Sequence, residues 1–114
     1  MECDPATEWR LQFVIQLPLD DANHERLEEL LELEERLENL LRDRSVAEID
    51  GNDFGSGEMN IFLFTNEPEK ALNKVRPLVE EVASPAEYRV AYRAFEQDEF
   101  HPLWPKGLKQ FAVK

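Results

Sequence analysis

The stretch that decides the fold is DGNDFGSGEMNIFLFT, residues 50–65. Gly51, Gly55 and Gly57 alternate with Asp50, Asn52, Asp53 and Glu58 ahead of an apolar run. Such letters can wrap a cation or cradle a phosphate, and they also build the tight turns that let two strands pair. The calcium reading fails, because a loop started at Asp50 puts Phe54 at its fifth place and Ile61 where the bidentate acid belongs. The phosphate reading fails as well. The glycine spacing fits neither the dinucleotide nor the Walker pattern, a strand follows where a helix is required, and no lysine is near. The turn reading stands: SVAEID (45–50) and EMNIFLFT (58–65) are β-rich runs, and DFGSG (53–57) joins them as a hairpin, with glycine reaching the positive φ that such turns need.

Upstream, WRLQFVIQL (9–17) alternates: Trp9, Leu11, Phe13, Ile15 and Leu17 share one face and Arg10, Gln12, Val14 and Gln16 the other, the period of a strand with one buried side. Pro18 ends it. The Asp20, Asp21, Asn23 cluster offers an N-cap and first-turn acids for a helix. Leu27, Leu30, Leu31, Leu37, Leu40 and Leu41 then recur at helical spacing, with Glu32–Arg36 and Glu38–Arg42 as i,i+4 pairs opposite, giving a helix of about five turns. Downstream, NEPEKALNKVRPLVEEV (66–82) starts with an Asn or Glu cap and Pro68, and spaces Ala71, Leu72, Val75, Leu78, Val79 and Val82 as a stripe that Pro77 should bend or interrupt. EYRVAYR (87–93) sets Tyr88, Val90 and Tyr92 against Arg89, Ala91 and Arg93 as a fourth strand.

The order strand, helix, strand, strand, helix, strand predicts an α+β fold, the ferredoxin-like βαββαβ sandwich: a four-stranded antiparallel sheet with two helices on one face. The chain reads as one domain over 1–114, with the core at 8–94 and a C-terminal segment at 95–114. If Met59, Ile61 and Leu63 point toward the helices, Phe62 and Phe64 point away. Exposed apolar patches of that size are uncommon on monomers. Either the C-terminal segment, with Phe95, Phe100, Leu103, Trp104, Leu108 and Phe111, folds over that face, or a partner or a second copy of the chain covers it.

Composition narrows the functions. With 42% apolar and 33% charged residues the 114-residue chain is globular. Its N-terminus carries acids where a secretory signal has basic residues, and nothing approaches the roughly 20 apolar residues of a membrane helix, so the expected setting is the cytoplasm with no membrane partner. The single Cys3 supports neither an internal disulfide nor a cysteine metal cluster and reads as a surface thiol. A net charge of -12 opposes binding to nucleic acid and favours a basic protein partner, although acids also serve solubility alone. Ten acids face three arginines between Asp20 and Asp43, whereas the last nine residues carry Lys106, Lys109 and Lys114 and no acid.

No metal or cofactor is expected. His24 and His101 lack the spacing of a metal pair, and no nucleophile pattern accompanies them. Carboxylates are too numerous for a general acid and base to be chosen, so catalysis has no support in the residues. RNA-binding versions of this sheet need basic residues around their aromatics, and GEMNIFLF (57–64) has none. Metal-chaperone versions need paired cysteines, and amino-acid-sensing versions look glycine-bearing where this chain has PLDDAN (18–23).

The block DGNDFGSGEMNIFLFTNEPEKA, residues 50–71, resembles one in small uncharacterised bacterial proteins, with the pattern DGxxxGSGExNIF. That likeness implies a ferredoxin-like core and no known activity. In size and acidity the whole chain is similar to bacterial immunity proteins that neutralise toxins, and this likeness implies a basic protein partner. Two functions follow. In the first the chain is a protein-binding module, presenting Glu25, Glu28, Glu29, Glu32 and Glu35 of the acidic helix, or Phe62 and Phe64 of the sheet. In the second it binds a small ligand or catalyses a reaction in a pocket between sheet and C-terminal segment, lined by Asp53, Glu58, Asn60, Tyr88, Tyr92 and Trp104.

Overall fold

The computed structural model describes residues 9–20, 23–55 and 57–113. Cys3, Asp21, Ser56 and Lys114, each used in the sequence reading, lie outside them. The chain runs β1 (Leu11–Pro18), α1 (His24–Leu40), β2 (Ala47–Gly55), β3 (Glu58–Thr65), α2 (Pro68–Val79), β4 (Arg89–Ala94) and β5 (His101–Trp104). These form an α+β fold in which two helices accompany one antiparallel sheet of order β2-β3-β1-β4-β5. The sheet has five strands where four were expected. HPLW (101–104), which has a proline within it and too few residues to show alternation, adds to the free edge of β4 with a register shift at Val90 and Ala91.

Register fixes what each face carries. Phe13, Ile15 and Leu17 of β1 lie beside Leu63, Ile61 and Met59 of β3, and Ile15 lies beside Val90 of β4. Onto this face α1 packs Leu30, Leu33 and Leu37, and α2 packs Ala71, Leu72, Val75 and Val79, in one apolar cluster. Asn23 caps α1 by accepting from the Arg26 N–H, and Pro68 occupies the first turn of α2, where its missing donor costs nothing. Pro77 does not interrupt α2. It falls within the last turn, and α2 continues to Val79 with the Asn73 carbonyl deprived of its helical donor.

The leucine stripe of α1 is rotated from the expected one. Leu33 is buried with Leu30 and Leu37, whereas Leu31 and Leu40 stay 38% and 36% exposed on the flanks of that buried stripe. The expected i,i+4 ion pairs are replaced too. Arg36 reaches Glu81 beyond α2 at 2.7 Å, and Arg42 bonds Asn39. The Glu81 pair ties the helical layer together, but both partners are half exposed and such pairs contribute little.

The opening stretch resolves into more strand and less turn than its glycines suggest. β2 continues through Asp53 and Phe54 to Gly55, paired with Asn60, Met59 and Glu58 of β3, so among the described residues only Gly57 is left to the turn. Backbone pairing is indifferent to side chains, and on this edge strand Asp50, Asn52 and Asp53 remain exposed. A bulge at Asp50 shifts the parity: Ile49 and then Asn52 and Phe54 face the helical layer, while Gly51 and Asp53 face away. Acids and a bulge on an edge also discourage another strand from adding there.

Gly57 has φ +80°, a conformation that side chains resist, and its carbonyl accepts from the Leu19 N–H at 2.8 Å. Gly55 is not in that region, and an added Cβ at either glycine meets nothing within 4 Å. Gly57→Ala should therefore lower stability by about 1 kcal/mol and Gly55→Ala by much less, as read from urea unfolding midpoints. Equal losses would contradict a turn that depends on Gly57.

Candidate functional site

The face of the sheet away from the helices carries a ladder of side chains set by the same register. One row runs Glu48, Phe64, Gln12 and Arg93; the next holds Gly51, Phe62, Val14 and Ala91; the third holds Asp53, Asn60, Gln16 and Arg89, with Glu58 beyond it on β3. β1 was expected to bury one side only, yet Val14 is fully buried and Gln16 is 3% exposed. The cover comes from the C-terminal segment. Phe95 packs edge-on against Phe64 at 5.6 Å, Phe111 packs against Phe100 at 5.1 Å, and the Gln16 side-chain amide donates to the Ala112 carbonyl at 2.9 Å. Arg93 holds the start of this segment, donating to Gln12 at 2.9 Å and to the Gln97 carbonyl at 2.8 Å. Phe62 and Phe64 are both partly buried, and Phe64 lies against Phe95 of the chain's own C-terminal segment.

The six residues assigned to a single pocket divide between the two faces. Asp53, Glu58 and Asn60 belong to the covered open face, whereas Tyr88, Tyr92 and Trp104 follow the parity of Val90 and lie on the helix side. Alternation alone separates them, since Met59 and Ile61 point to the helices and Glu58 and Asn60 cannot. Tyr92 packs on His101 at 5.2 Å.

Tyr88 and Trp104 form a latch instead. The buried Tyr88 ring stacks on Trp104 at 6.0 Å, and its hydroxyl donates to Glu80 at 2.6 Å. Arg76 donates to the same Glu80 oxygen at 3.1 Å and lies 4.2 Å over the Trp104 ring, whose Nε1–H donates to the Pro85 carbonyl at 2.9 Å. The cation above the indole face adds to the stacking. Burial, and then the bond to Glu80, push the Tyr88 phenol above its usual range. The Tyr88 hydroxyl, followed by Arg76, holds the Glu80 carboxyl below its ordinary value. Arg76 and Glu80 stand one helical turn apart, a spacing visible in the sequence, but only the fold brings Tyr88 and Trp104 to them.

Three polar residues of the open face meet in one row. Gln16 donates from Nε2 to Asn60 Oδ1 at 3.1 Å as well as to Ala112, and its Oε1 accepts from Arg89 at 3.5 Å. Arg89 also lies 3.9 Å from Glu58 Oε2. Gln16 and Arg89 were missed as site residues; Gln16 shares its face of β1 with Gln12 and Val14, so no local signal set it apart. Beside this row a cavity of about 660 Å³ is lined by Arg89, Phe100, Lys109, Phe111 and Ala112, among others.

On the opposite side of the molecule, Glu25, Glu28, Glu29, Glu32 and Glu35 are all exposed on α1. Glu29 pairs with Arg26 at 2.7 Å; among the described residues Glu25, Glu28, Glu32 and Glu35 have no cation within 4.0 Å. Where α1 begins, Leu19, His24, Leu27 and Phe54 line a mostly apolar notch of about 290 Å³, and Phe54 is 46% exposed. Among the described residues no three His, Cys, Asp or Glu side chains group closely enough to hold a metal, and no helix is long and apolar enough to cross a membrane. Neither the family models, nor the curated proteins, nor the solved structures compared with this chain include a match to it.

The latch has a pH signature. Because the Glu80 pKa is depressed in the folded state, its contribution is present above the ordinary carboxylate pKa of about 4.3 and is lost as pH falls through the folded value. Tyr88→Phe should lower the urea midpoint at pH 7, and the gap from the parent should narrow as pH falls below about 4. A gap that is constant across that range would contradict the pairing of phenol with carboxylate.

Proposed function

We propose that this chain is a protein-binding module that presents the outer face of α1 to a basic protein surface. The observation that carries the reading is the pairing of two features on one side: exposed carboxylates without ion partners among the described residues, and the apolar notch with the half-exposed Phe54. Carboxylates steer a cationic partner and set its orientation, while a notch that accepts an apolar side chain supplies burial. Leu31, 38% exposed, extends the apolar strip along the same flank of the helix. An immunity-like role, in which the basic surface belongs to a toxin, is the sharpest form of the proposal.

The fold belongs to the same reading. We infer a ferredoxin-like core with a fifth strand added at its edge, supported by the order β2-β3-β1-β4 within the larger sheet and by both helices packing on one side. A cytoplasmic setting fits a chain whose single cysteine can close no internal disulfide.

A partner's association should be fast at low salt and slow markedly as the Debye length shrinks from about 30 Å at 0.01 M to about 10 Å at 0.1 M. Reversing Glu28, Glu32 and Glu35 to lysine should reduce the on-rate by about tenfold or more with the fold intact, whereas Phe54→Ala should act mainly on the off-rate. A partner recovered from the native cell whose on-rate ignores both salt and the triple reversal would sink the proposal.

A further inference from the structure

The exposed acids of α1 are not scattered. Glu25, Glu28, Glu32 and Glu35 stand three, four and three residues apart, so on a helix of about 3.6 residues per turn they form one stripe about 15 Å long. The stripe lies opposite the buried Leu30, Leu33 and Leu37. Its two flanks differ. On the side of α2, Arg36 reaches Glu81 and Arg26 donates to the Val82 carbonyl at 2.6 Å, which ties that flank to the neighbouring layer. On the side of β2, where Asn52 donates to Glu34, Leu27 lines the notch with the 46% exposed Phe54, and the 38% exposed Leu31 follows one turn on. A row of carboxylates therefore runs beside an apolar strip that ends in a notch.

The spacing selects the element that fits. Side chains on one face of a helix recur at i+3 and i+4, about 4.5 and 6 Å along the axis, which is the spacing of the stripe itself. Same-face residues of a strand recur at about 6.6 Å, so a strand laid along the stripe falls about 5 Å out of step by the fourth carboxylate. Strand addition is opposed at the adjoining edge of β2 as well, by the bulge at Asp50 and the exposed Asp50, Asn52 and Asp53. A second copy of this chain is opposed by charge, since a protein of net charge -12 would set carboxylates against carboxylates.

Resting on the reading of α1 as the docking face, we infer that the partner presents an amphipathic α-helix laid alongside α1. Its lysines or arginines, at i, i+3, i+7 and i+10, meet the carboxylate stripe, and the apolar residues of its adjoining face cover Leu27, Leu31 and Phe54. The apolar contact supplies burial, and the matched spacing of charge fixes the register.

The test is a titration of the ¹⁵N-labelled full chain with three synthetic peptides of one composition, each long enough for about five helical turns. One carries lysines at i, i+3, i+7 and i+10 with leucines on the adjoining face; the second alternates the same lysines and leucines as a strand does; the third is the first with a central alanine and a terminal proline exchanged, which breaks the helix. The helical peptide should shift the backbone amides of Glu28, Leu31, Glu32 and Phe54 saturably, gain helical circular dichroism on binding, and bind about tenfold or more tightly than either control. Reversal of Glu28, Glu32 and Glu35 to lysine and, separately, Phe54→Ala should each weaken it about tenfold. The triple reversal, at exposed positions, keeps the test decisive if Phe54→Ala unsettles the notch. Equal binding of the alternating or the proline peptide would overturn the helix and leave α1 as a face for a basic surface of another shape, a reading judged separately by the native partner's response to salt. Absence of saturable shifts on α1 with the helical peptide would overturn the inference as well.

Discussion

Everything in this structure depends on a central strand that is buried on both sides. Phe13, Val14, Ile15, Gln16 and Leu17 are at most 3% exposed, although their sequence alternates as if one side met water. Phe13, Ile15 and Leu17 meet the helices; Val14 and Gln16 meet the opposite layer. A sheet of this kind is stable only if both faces are covered, because each Å² of apolar area left in water forfeits about 25 cal/mol. The helical layer supplies one cover from the interior of the chain. Residues 95–113 supply the other, and they do so twice over, adding β5 to the edge and then crossing the face toward Gln16.

That arrangement places the functional features at separate locations. The helical cover turns its acids outward, away from the sheet, and leaves the notch at Phe54 where β2 outruns α1. The C-terminal cover has little regular structure and closes over a row of polar side chains rather than an apolar one. Its edge is held firmly, through Trp104 on Tyr88 and Arg76, while its last residues rest on a single described hydrogen bond to the sheet face.

Much of the fold was legible in the sequence, and the misses have physical causes. The period of Trp9 to Leu17, the caps at Asn23 and Pro68, and the alternation of Tyr88 to Arg93 located four of the strands and helices directly. The end of β2 was misread because Asp50, Asn52 and Asp53 are poor strand formers in general and acceptable ones on a solvated edge. β5 escaped because four residues around Pro102 show no period. Leu33 was left out of the helix stripe, and Leu31 and Leu40 were included, since several leucine sets satisfy helical spacing and only the packing direction chooses among them. The site was less legible. Glu58 and Asn60 were identified, but Gln16 lies 44 positions from Asn60 and Arg89 lies 73 positions from Gln16, separations no local pattern reveals. The acids of α1 were plain in the sequence, and the fold contributes only that they stand exposed together.

The claim that the second face requires the chain's own cover is tested most directly by deleting residues 95–114 and comparing the melting temperature and association state with the full chain. The account predicts a lower melting temperature and a dimer or larger aggregate, as Phe62, Phe64 and Val14 lose their cover. A truncated chain that stays monomeric and melts at the same temperature would contradict it.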